Sequence, residues 1–308
     1  MAKVKVKVTD SATGEVITLK STPKDGGWGN PAVYFIALCI IAVCLAPVVY
    51  IIIGGFRDNS QITNNPAAWP NPWIPSNFID VLRGWGYDQF GNVVPVGQFW
   101  RQAWNSTYIA LITVVLVVVL GVMASFVLAR YKFKLHGAMY LLFASGLMFP
   151  LAVAITPLYI MMIRTHLAGS PWSVILPQVA FGLPQTVIIL TPFLAAIPKE
   201  IEEAASVDGC SRLGFFVRMV VPLSMPGVVT VAILNFVGSW NSYMLPLYMF
   251  TNENQYTLPL GVQMFSTAHS TNTAQVLAFT SLAMIPALVF FSLFEKRIVG
   301  GLTGAVKG

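Results

Sequence analysis

The chain has 308 residues, of which 56% are hydrophobic and only 10% are charged. Soluble domains carry about 25% charged residues, and a chain this apolar would expose too much hydrophobic surface to stay in water. The net charge of +6 would suggest a nucleic-acid partner in a soluble protein, but here the basic residues fall in short segments between apolar runs. The composition therefore predicts an integral membrane protein and argues against nucleic-acid binding.

The polar N-terminal tail, residues 1–31, alternates charged and β-branched residues around Thr13-Gly14. This alternation predicts a small β-hairpin, which would be marginally stable on its own. No small-residue cleavage site follows the first apolar run. We therefore expect that run to remain as a membrane span and not to be removed as a signal peptide.

Six stretches of the chain are long and apolar enough to cross a hydrocarbon core of roughly 30 Å, which takes about 20 residues. They are 32–53, 104–129, 138–162, 173–195, 222–248 and 273–294. The sequence thus predicts an all-α, polytopic membrane protein with about six transmembrane helices. The membrane domain would cover 32–294 and a polar C-terminal tail would cover 295–308.

Lys and Arg are distributed unevenly between the connecting segments. Most of them lie in 1–31, 130–137, 196–221 and 295–308. The remaining connecting segments, which would lie on the opposite side of the membrane, contain only Arg57, Arg83, Arg101 and Arg164. By the positive-inside rule, both termini are predicted to be cytoplasmic. The long outer segment 54–103 is rich in Trp, so it would either rest on the outer leaflet or dock an outside partner.

The predicted spans contain no Asp, Glu, Lys, Arg or His. Proton- and ion-coupled transporters usually keep ionisable groups at membrane depth, so a secondary transporter or facilitator for a small polar solute is the weaker alternative. The chain also lacks a GxxxxGK[ST] phosphate loop, so any ATP hydrolysis by that route would reside in another polypeptide. The three histidines lie in separate connections, and neither a metal site nor a catalytic site is predicted.

The connection between the fourth and fifth spans, 196–221, is predicted to form a helix, a bend and a second helix. Glu202 and Glu203 stand in the first turns of a helix, where the helix dipole favours acidic side chains. Gly209 breaks this helix because glycine readily adopts a left-handed conformation. An apolar helical stretch that includes Phe215 follows.

This connection also carries a recognisable motif. It reads EEAASVDG at 202–209 and, after twelve residues, PLSMP, which resembles the EAA loop of ATP-binding-cassette importer permeases. Residues 235–247, 252–266 and 295–308 are similar, in the same order, to segments of carbohydrate permeases of the maltose-importer type. The resemblance covers most of the chain from about residue 140 onward. Members often have an acidic residue where this chain has Ser242, so a charge interaction there is lost.

The resemblance implies a binding-protein-dependent permease in the prokaryotic cytoplasmic (inner) membrane that imports a sugar such as a di- or oligosaccharide. It implies four kinds of partner: a second homologous permease, two ATPase subunits that bind ATP and Mg, an extracellular sugar-binding protein or lipoprotein, and membrane lipid. This chain itself would be non-catalytic and hold no cofactor. In the family the EAA loop is the coupling helix, which assigns ATPase coupling to Glu202, Glu203, Ala204, Ala205, Asp208, Gly209 and Phe215.

The fifth predicted span carries a dense polar and aromatic cluster. Asn235, Ser239 and Ser242 follow at i, i+4 and i+7, so they would share one helix face, with aromatic residues on an adjacent face. Sugars require hydrogen-bonding side chains and flat apolar surfaces. The predicted translocation-pathway residues are therefore Asn235, Ser239, Trp240, Asn241, Ser242, Tyr243 and Gln185, with Gln178 as a further candidate. Helix–helix packing is the alternative role of this cluster.

The last outer loop, 251–266, approaches the extracellular sugar-binding protein in the family. The resemblance therefore implies contacts with that protein for Tyr256, Pro259 and Gly261. A plain connecting turn is the alternative.

Overall fold

The structure is a computed structural model that describes residues 5–9, 16–20, 31–87, 93–95, 97–265 and 272–306. Contacts divide the chain into two units, residues 1–50 and residues 51–308. The described part is almost entirely helical, and the all-α prediction is confirmed.

The first unit contains the predicted hairpin and most of the first long helix. Strand β1 (Lys5–Thr9) pairs antiparallel with β2 (Val16–Lys20), and Lys5 lies opposite Lys20. Helix α1 covers Pro31–Gly54, and its 24 residues exceed the length that a membrane span requires.

The second unit contains all remaining elements. After α1, the chain forms α2 (Asn59–Asn64), α3 (Ser76–Arg83) and a hairpin of β3 (Trp85–Tyr87) and β4 (Val93–Pro95). The helices that follow are α4 (Phe99–Arg130), α5 (His136–Gly146), α6 (Leu151–Arg164), α7 (Trp172–Ala195), α8 (Lys199–Val207), α9 (Arg212–Phe215), α10 (Val221–Leu223), α11 (Met225–Trp240), α12 (Met244–Met249), α13 (Leu258–Gly261) and α14 (Thr273–Val306). A π-helical turn (Phe216–Val220) joins α9 to α10, and 3₁₀ turns (Glu253–Gln255 and Val262–Phe265) flank α13.

Among the described residues, four helices are long and apolar enough to cross a membrane alone: α1, α4, α7 and the part of α14 up to Phe290. The other two predicted spans are bent. Helices α5 and α6 meet at 100°, and the helical segment Arg212–Leu223 meets α11 at 75°. The prediction of about six spans therefore holds if each bent pair is counted as one span.

Two predicted boundaries differ from the structure. The fifth predicted span, 222–248, is interrupted because α11 ends at Trp240 and α12 begins only at Met244. Pro246 lacks an N–H and cannot donate to the carbonyl of Ser242, which favours this interruption. Helix α14 continues to Val306, so most of the predicted tail prolongs the last helix.

Helix α4 is the central helix and packs along α7 and α11. Close approach depends on small residues: a Cβ on Gly121 of α4 would lie 2.3 Å from Cγ2 of Thr186 on α7. Three buried apolar clusters follow the length of α4, centred on Phe279, Val174 and Leu194. In lipid such clusters stabilise the fold by close packing, because there is no hydrophobic driving force between helices.

The segment between α1 and α4 is a folded element that includes a buried arginine. Arg57 is 1% exposed, and its guanidinium donates to the carbonyls of Pro66 (2.8 Å), Gln61 (2.6 Å) and Asn65. These bonds attach the guanidinium to carbonyls at and beyond the C-terminal end of α2, in addition to the backbone N–H groups that donate to Gln61 and Asn65. Several Trp side chains of this segment, such as Trp69, are exposed. Both predicted roles of the segment, a membrane-resting loop and a docking surface, remain predictions.

Candidate functional site

A cavity of about 200 Å³ opens between α4, α7 and α11, near the midpoint of α4. Its lining residues are Thr113, Leu151, Gln178, Phe181, Gly182, Gln185, Leu234, Asn235, Gly238, Ser239, Ser242 and Leu245. The polar members carry only hydroxyl and amide groups. Among the described residues, no ionisable side chain lines this cavity. We refer to it below as the polar cavity.

Gln178 of α7 joins three helices at the wall of the polar cavity. Its Oε1 accepts a 2.7 Å hydrogen bond from Ser239 of α11 and a 3.1 Å hydrogen bond from Thr113 of α4. Its Nε2 is buried and has no hydrogen-bond partner among the described residues. A buried donor without a partner costs about 1–3 kcal/mol. The oxygen of Gln178 therefore links α7 to α4 and α11, while its nitrogen is buried.

Asn235 of α11 forms a second polar contact with α7. The side chain is 9% exposed, and Nδ2 donates to Oγ1 of Thr186 (3.0 Å) and to the carbonyl of Val231 on its own helix (2.8 Å). Oδ1 lies so close to Gly182 that a Cβ there would approach it to 2.3 Å. Asn235 thus lines the polar cavity and also holds α11 against α7.

The structure brings part of the predicted pathway cluster together. Asn235, Ser239, Ser242 and Gln185 all line the polar cavity. Trp240 does not, because it is 5% exposed and its ring stacks on Phe236 with centroids 5.6 Å apart.

The remaining predicted pathway residues lie elsewhere. With Asn241, Trp240 borders a separate groove of about 420 Å³ between α11, α13 and α14, whose lining is mostly apolar. The hydroxyl of Tyr243 accepts a hydrogen bond from Gln263.

Sequence reasoning missed Thr113 and Thr186 and gave Gln178 little weight. Each is a polar residue within a long apolar helix, which is a weak but readable signal. Their assembly could not be read from spacing, because Gln178 is 65 residues from Thr113 and 61 from Ser239. Among the described residues, no three or more His, Cys, Asp or Glu side chains are grouped as a metal ion would require.

The predicted helix–bend–helix connection is present. Helix α8 ends before Gly209, whose φ of +75° lies in the left-handed region that favours glycine. The hydroxyl of Ser211 then caps α9 by accepting a hydrogen bond from the N–H of Gly214 (3.1 Å). Glycine and serine therefore fix the turn between the two helices.

The two faces of this connection differ in burial. Ala205 and Phe215 are 2% and 4% exposed, respectively, and pack in the apolar cluster centred on Leu194. The opposite face carries Glu203, Ala204, Asp208 and Gly209, all exposed, while Glu202 is half-buried. Two large apolar side chains on this face are also exposed, Val207 at 88% and Leu213 at 73%. We refer to the exposed residues of 203–213 as the α8 face.

The α8 face is connected directly to the polar cavity through the backbone. Helix α9 continues through the π-helical turn and α10 to a 75° bend, after which α11 begins. Helix α11 carries Asn235 and Ser239. The α8 face and the cavity wall are therefore neighbours along the chain, separated by the turn at Gly209 and by this bend.

The last loop before α14 is held against the opposite end of α4. Nδ2 of Asn105 donates to the carbonyls of Asn254 (2.8 Å) and Tyr256 (3.0 Å), and Ser106 accepts from the N–H of Leu258 (2.8 Å). These hydrogen bonds fix the loop to α4, although the bonded residues lie 149 to 152 positions apart in the sequence.

Three residues of this loop were predicted to contact the sugar-binding protein, and the structure buries each of them at least partly. Tyr256 is half-buried and packs against the cluster centred on Val174. Pro259 borders the apolar groove. Gly261 is buried, and a Cβ there would lie 2.2 Å from Oε1 of Gln102. Among the described residues of the loop, the exposed ones are 251–254 and Gln263.

Straight and bent membrane-length helices, a polar cavity between α4, α7 and α11, and an exposed helical loop define a multi-pass membrane permease. Residues 118–300 match the family described as "Binding-protein-dependent transport system inner membrane component". The chain belongs to this family.

Similar proteins are permeases of ATP-binding-cassette transporters. A putative ABC transporter permease protein of Caldicellulosiruptor sp. (strain Rt8B.4) is 31% identical, over 89% of this chain and 96% of the relative. The trehalose transport system permease protein SugB of Mycobacterium tuberculosis is 33% identical, over 87% of this chain and 94% of that protein. The fold is shared with a bacterial ABC transporter involved in the import of the acidic polysaccharide alginate, with a TM-score of 0.69 at 19% identity over 86% of this chain and 95% of the matched chain.

Proposed function

We propose that this permease subunit carries a sugar, a di- or oligosaccharide, across the cytoplasmic membrane of a prokaryote. The observation that carries this proposal is the polar cavity, which places hydroxyl and amide side chains halfway along a membrane-spanning helix. Polar groups at that depth are costly unless they pack against each other or contact a polar substrate. Relatives named for the transport of trehalose, diacetylchitobiose and arabinooligosaccharides support the same cargo class.

In the proposed assembly this chain pairs with a second homologous permease, and lipid surrounds the pair. Two ATPase subunits on the cytoplasmic side bind ATP and Mg and perform the hydrolysis, so this chain needs no cofactor. A sugar-binding protein or lipoprotein delivers the cargo from outside. Both chain termini lie on the cytoplasmic side, which the distribution of Lys and Arg supports.

The α8 face is the proposed contact with one ATPase subunit. It presents exposed apolar side chains at Val207 and Leu213 next to carboxylates at Glu203 and Asp208. Exposed apolar groups on a polar surface are typical of protein interfaces. ATP-driven closure of the ATPase dimer would displace α8, and the helical segment that leads to α11 would change the shape of the polar cavity.

Co-purification in mild detergent tests this proposal. A tag on this chain should recover a second permease and ATPase subunits in fixed stoichiometry. Recovery of this chain alone, under conditions that preserve its sugar uptake in membranes, would contradict the proposed assembly and favour a facilitator.

A further inference from the structure

The end of α4 contacts both ends of residues 197–216, the segment that bears most of the α8 face and that we call the α8 segment. Phe126 and Arg130 are spaced i, i+4 in the last two turns of α4, and each contacts one of these ends. We propose that these two side chains, the α4 anchor, are positioning residues for the coupling of ATP hydrolysis to transport. This inference rests on the proposed function. The α4 anchor makes α8 and α4 move together when an ATPase subunit moves.

Arg130 holds the start of the α8 segment. Only Ala196, Ile197 and Pro198 connect the end of α7 to the start of α8. The guanidinium of half-buried Arg130 donates a 2.7 Å hydrogen bond to the carbonyl of Ile197, the middle residue of that connection. A hydrogen bond from a charged donor is stronger than one between neutral groups. The joint about which α8 could swing relative to α7 is therefore attached to α4.

Phe126 holds the end of the α8 segment. Its ring centroid lies 5.1 Å from that of Phe216, the first residue of the π-helical turn that leads to α10. Such turns are rare and occur frequently at functional sites. Phe126 and Phe216 both pack against the cluster centred on Leu194, which also contains Ala205 and Phe215 from the buried side of the α8 segment. The end of the segment is thus attached to the same part of α4 as its start.

The backbone alone does not join α8 rigidly to the wall of the polar cavity. The turn at Gly209 and the 75° bend before α11 both interrupt the helical path between them. Helix α4, in contrast, is uninterrupted over Phe99–Arg130 and carries Thr113, which lines the polar cavity. The α4 anchor therefore supplies a mechanical route from the α8 face to the cavity that avoids both interruptions.

Import and ATP hydrolysis, measured together in proteoliposomes that contain the complete importer and its binding protein, test the inference. The probes are maltose, trehalose, diacetylchitobiose and arabinobiose, and a sugar that the wild-type complex imports is used for every variant. The variants are Arg130→Gln, Arg130→Lys and Phe126→Leu. The matched controls are Lys132→Gln and Phe133→Leu, because both side chains are exposed and the ring of Phe133 lies against His136, outside the α8 segment.

The expected result is a lower number of sugar molecules imported per ATP hydrolysed, while hydrolysis itself persists. Arg130→Gln should lower this ratio about tenfold, because the shorter side chain cannot reach the carbonyl of Ile197. Phe126→Leu should lower it about threefold through loss of the ring contact with Phe216. Arg130→Lys should keep most of the ratio, because an ammonium group also donates to a carbonyl. Both controls should retain the wild-type ratio.

The contrary outcomes separate this inference from the proposed function. An unchanged ratio in either Arg130→Gln or Phe126→Leu would overturn the role of that residue and leave the importer assignment intact. A purely structural role would lower import and hydrolysis in proportion, and that result would overturn the inference equally. If Arg130→Gln does not assemble, the ratio in Phe126→Leu decides for or against the α4 anchor. Absence of import of every probe by the assembled wild-type complex would overturn the sugar function and this inference with it.

Discussion

Asn235 of α11 donates a 3.0 Å hydrogen bond to the hydroxyl of Thr186 on α7, and its Oδ1 occupies the space that Gly182 leaves open. This relationship holds two helices of the polar cavity together at close range. Interhelical hydrogen bonds of this kind contribute about 0.6–1.7 kcal/mol in membrane proteins, and close packing between small residues adds to that. The position of α11, and so the shape of the cavity, depends on the absence of a side chain at Gly182.

Gly182→Ala should therefore destabilise the protein by about 1–3 kcal/mol, because the new methyl group would overlap Oδ1 of Asn235 and crowd Val117. Thermal unfolding in detergent measures this effect as a lowered midpoint. Gly137→Ala is the control, since no atom lies within 4 Å of a Cβ at that position. Equal midpoints for the two variants would show that α7 and α11 do not pack as described.

The buried guanidinium of Arg57 should be required for the folding of the segment between α1 and α4. Arg57→Lys replaces the guanidinium group, which donates to three carbonyls, with a single ammonium group. The change should lower the local stability by about 1–3 kcal/mol. Limited proteolysis of this segment measures the loss as faster cleavage. Arg83→Lys should have no such effect, because Arg83 is exposed and its guanidinium lies over the ring of Trp85. Unchanged cleavage in Arg57→Lys would contradict the proposed role.

The N-terminus of α2 should show a defined pH dependence. Hydrogen bonds from the Ser60 hydroxyl and the Gln61 N–H lower the pKa of Asp58 below its usual value. A lowered pKa in the folded state means that the cap stabilises α2 above about pH 4, the ordinary value, and that this contribution is lost as the pH falls through the folded-state pKa. Hydrogen-exchange protection of the Gln61 amide should fall accordingly. Asp58→Asn, which keeps the cap without the charge, should remove this pH dependence; an unchanged profile would exclude Asp58 as its source.

The exposed valine of the α8 face should matter for ATPase binding more than for folding. Val207→Ser changes a side chain that is 88% exposed, so the stability of this chain should not change. Its recovery of ATPase subunits in detergent should fall several-fold, because an apolar contact at the interface is lost. Thr63→Ala is the control, since that exposed hydroxyl lies in α2, outside the α8 face, and bonds to the carbonyl of Asn59 on its own helix. Equal recovery by both variants would exclude Val207 from the interface.

Hydropathy predicted the membrane helices well but not their bends. The third predicted span breaks between Gly146 and Leu151, and the chain bends again at Ser224, before α11. Pro150 and Pro226 stand near these breaks, yet Pro184 lies within an uninterrupted helix. Whether a proline ends a membrane helix depends on whether neighbouring helices satisfy the freed carbonyl, which sequence alone does not reveal.

The sequence predicted pathway residues on α11 and, with Gln185 and Gln178, on α7, but none on α4. The i, i+4 spacing placed Asn235 and Ser239 on one face correctly, because both lie within the same helix. The aromatic face was assigned to the sugar pathway, whereas Trp240 packs in the cluster centred on Phe279. Which of two adjacent helix faces meets the cavity is decided by tertiary packing. Gln178 gains its importance in the same way, from partners on two other helices.

The most direct test of the central claim is ATP hydrolysis by the purified complex in lipid nanodiscs, with the binding protein and a panel of sugars. The account predicts that a sugar-loaded binding protein stimulates hydrolysis. Gly209→Pro should abolish this stimulation, because proline cannot adopt the φ of +75° that joins α8 to α9. Hydrolysis that no sugar stimulates, or stimulation that Gly209→Pro leaves unchanged, would contradict sugar import coupled through the α8 face.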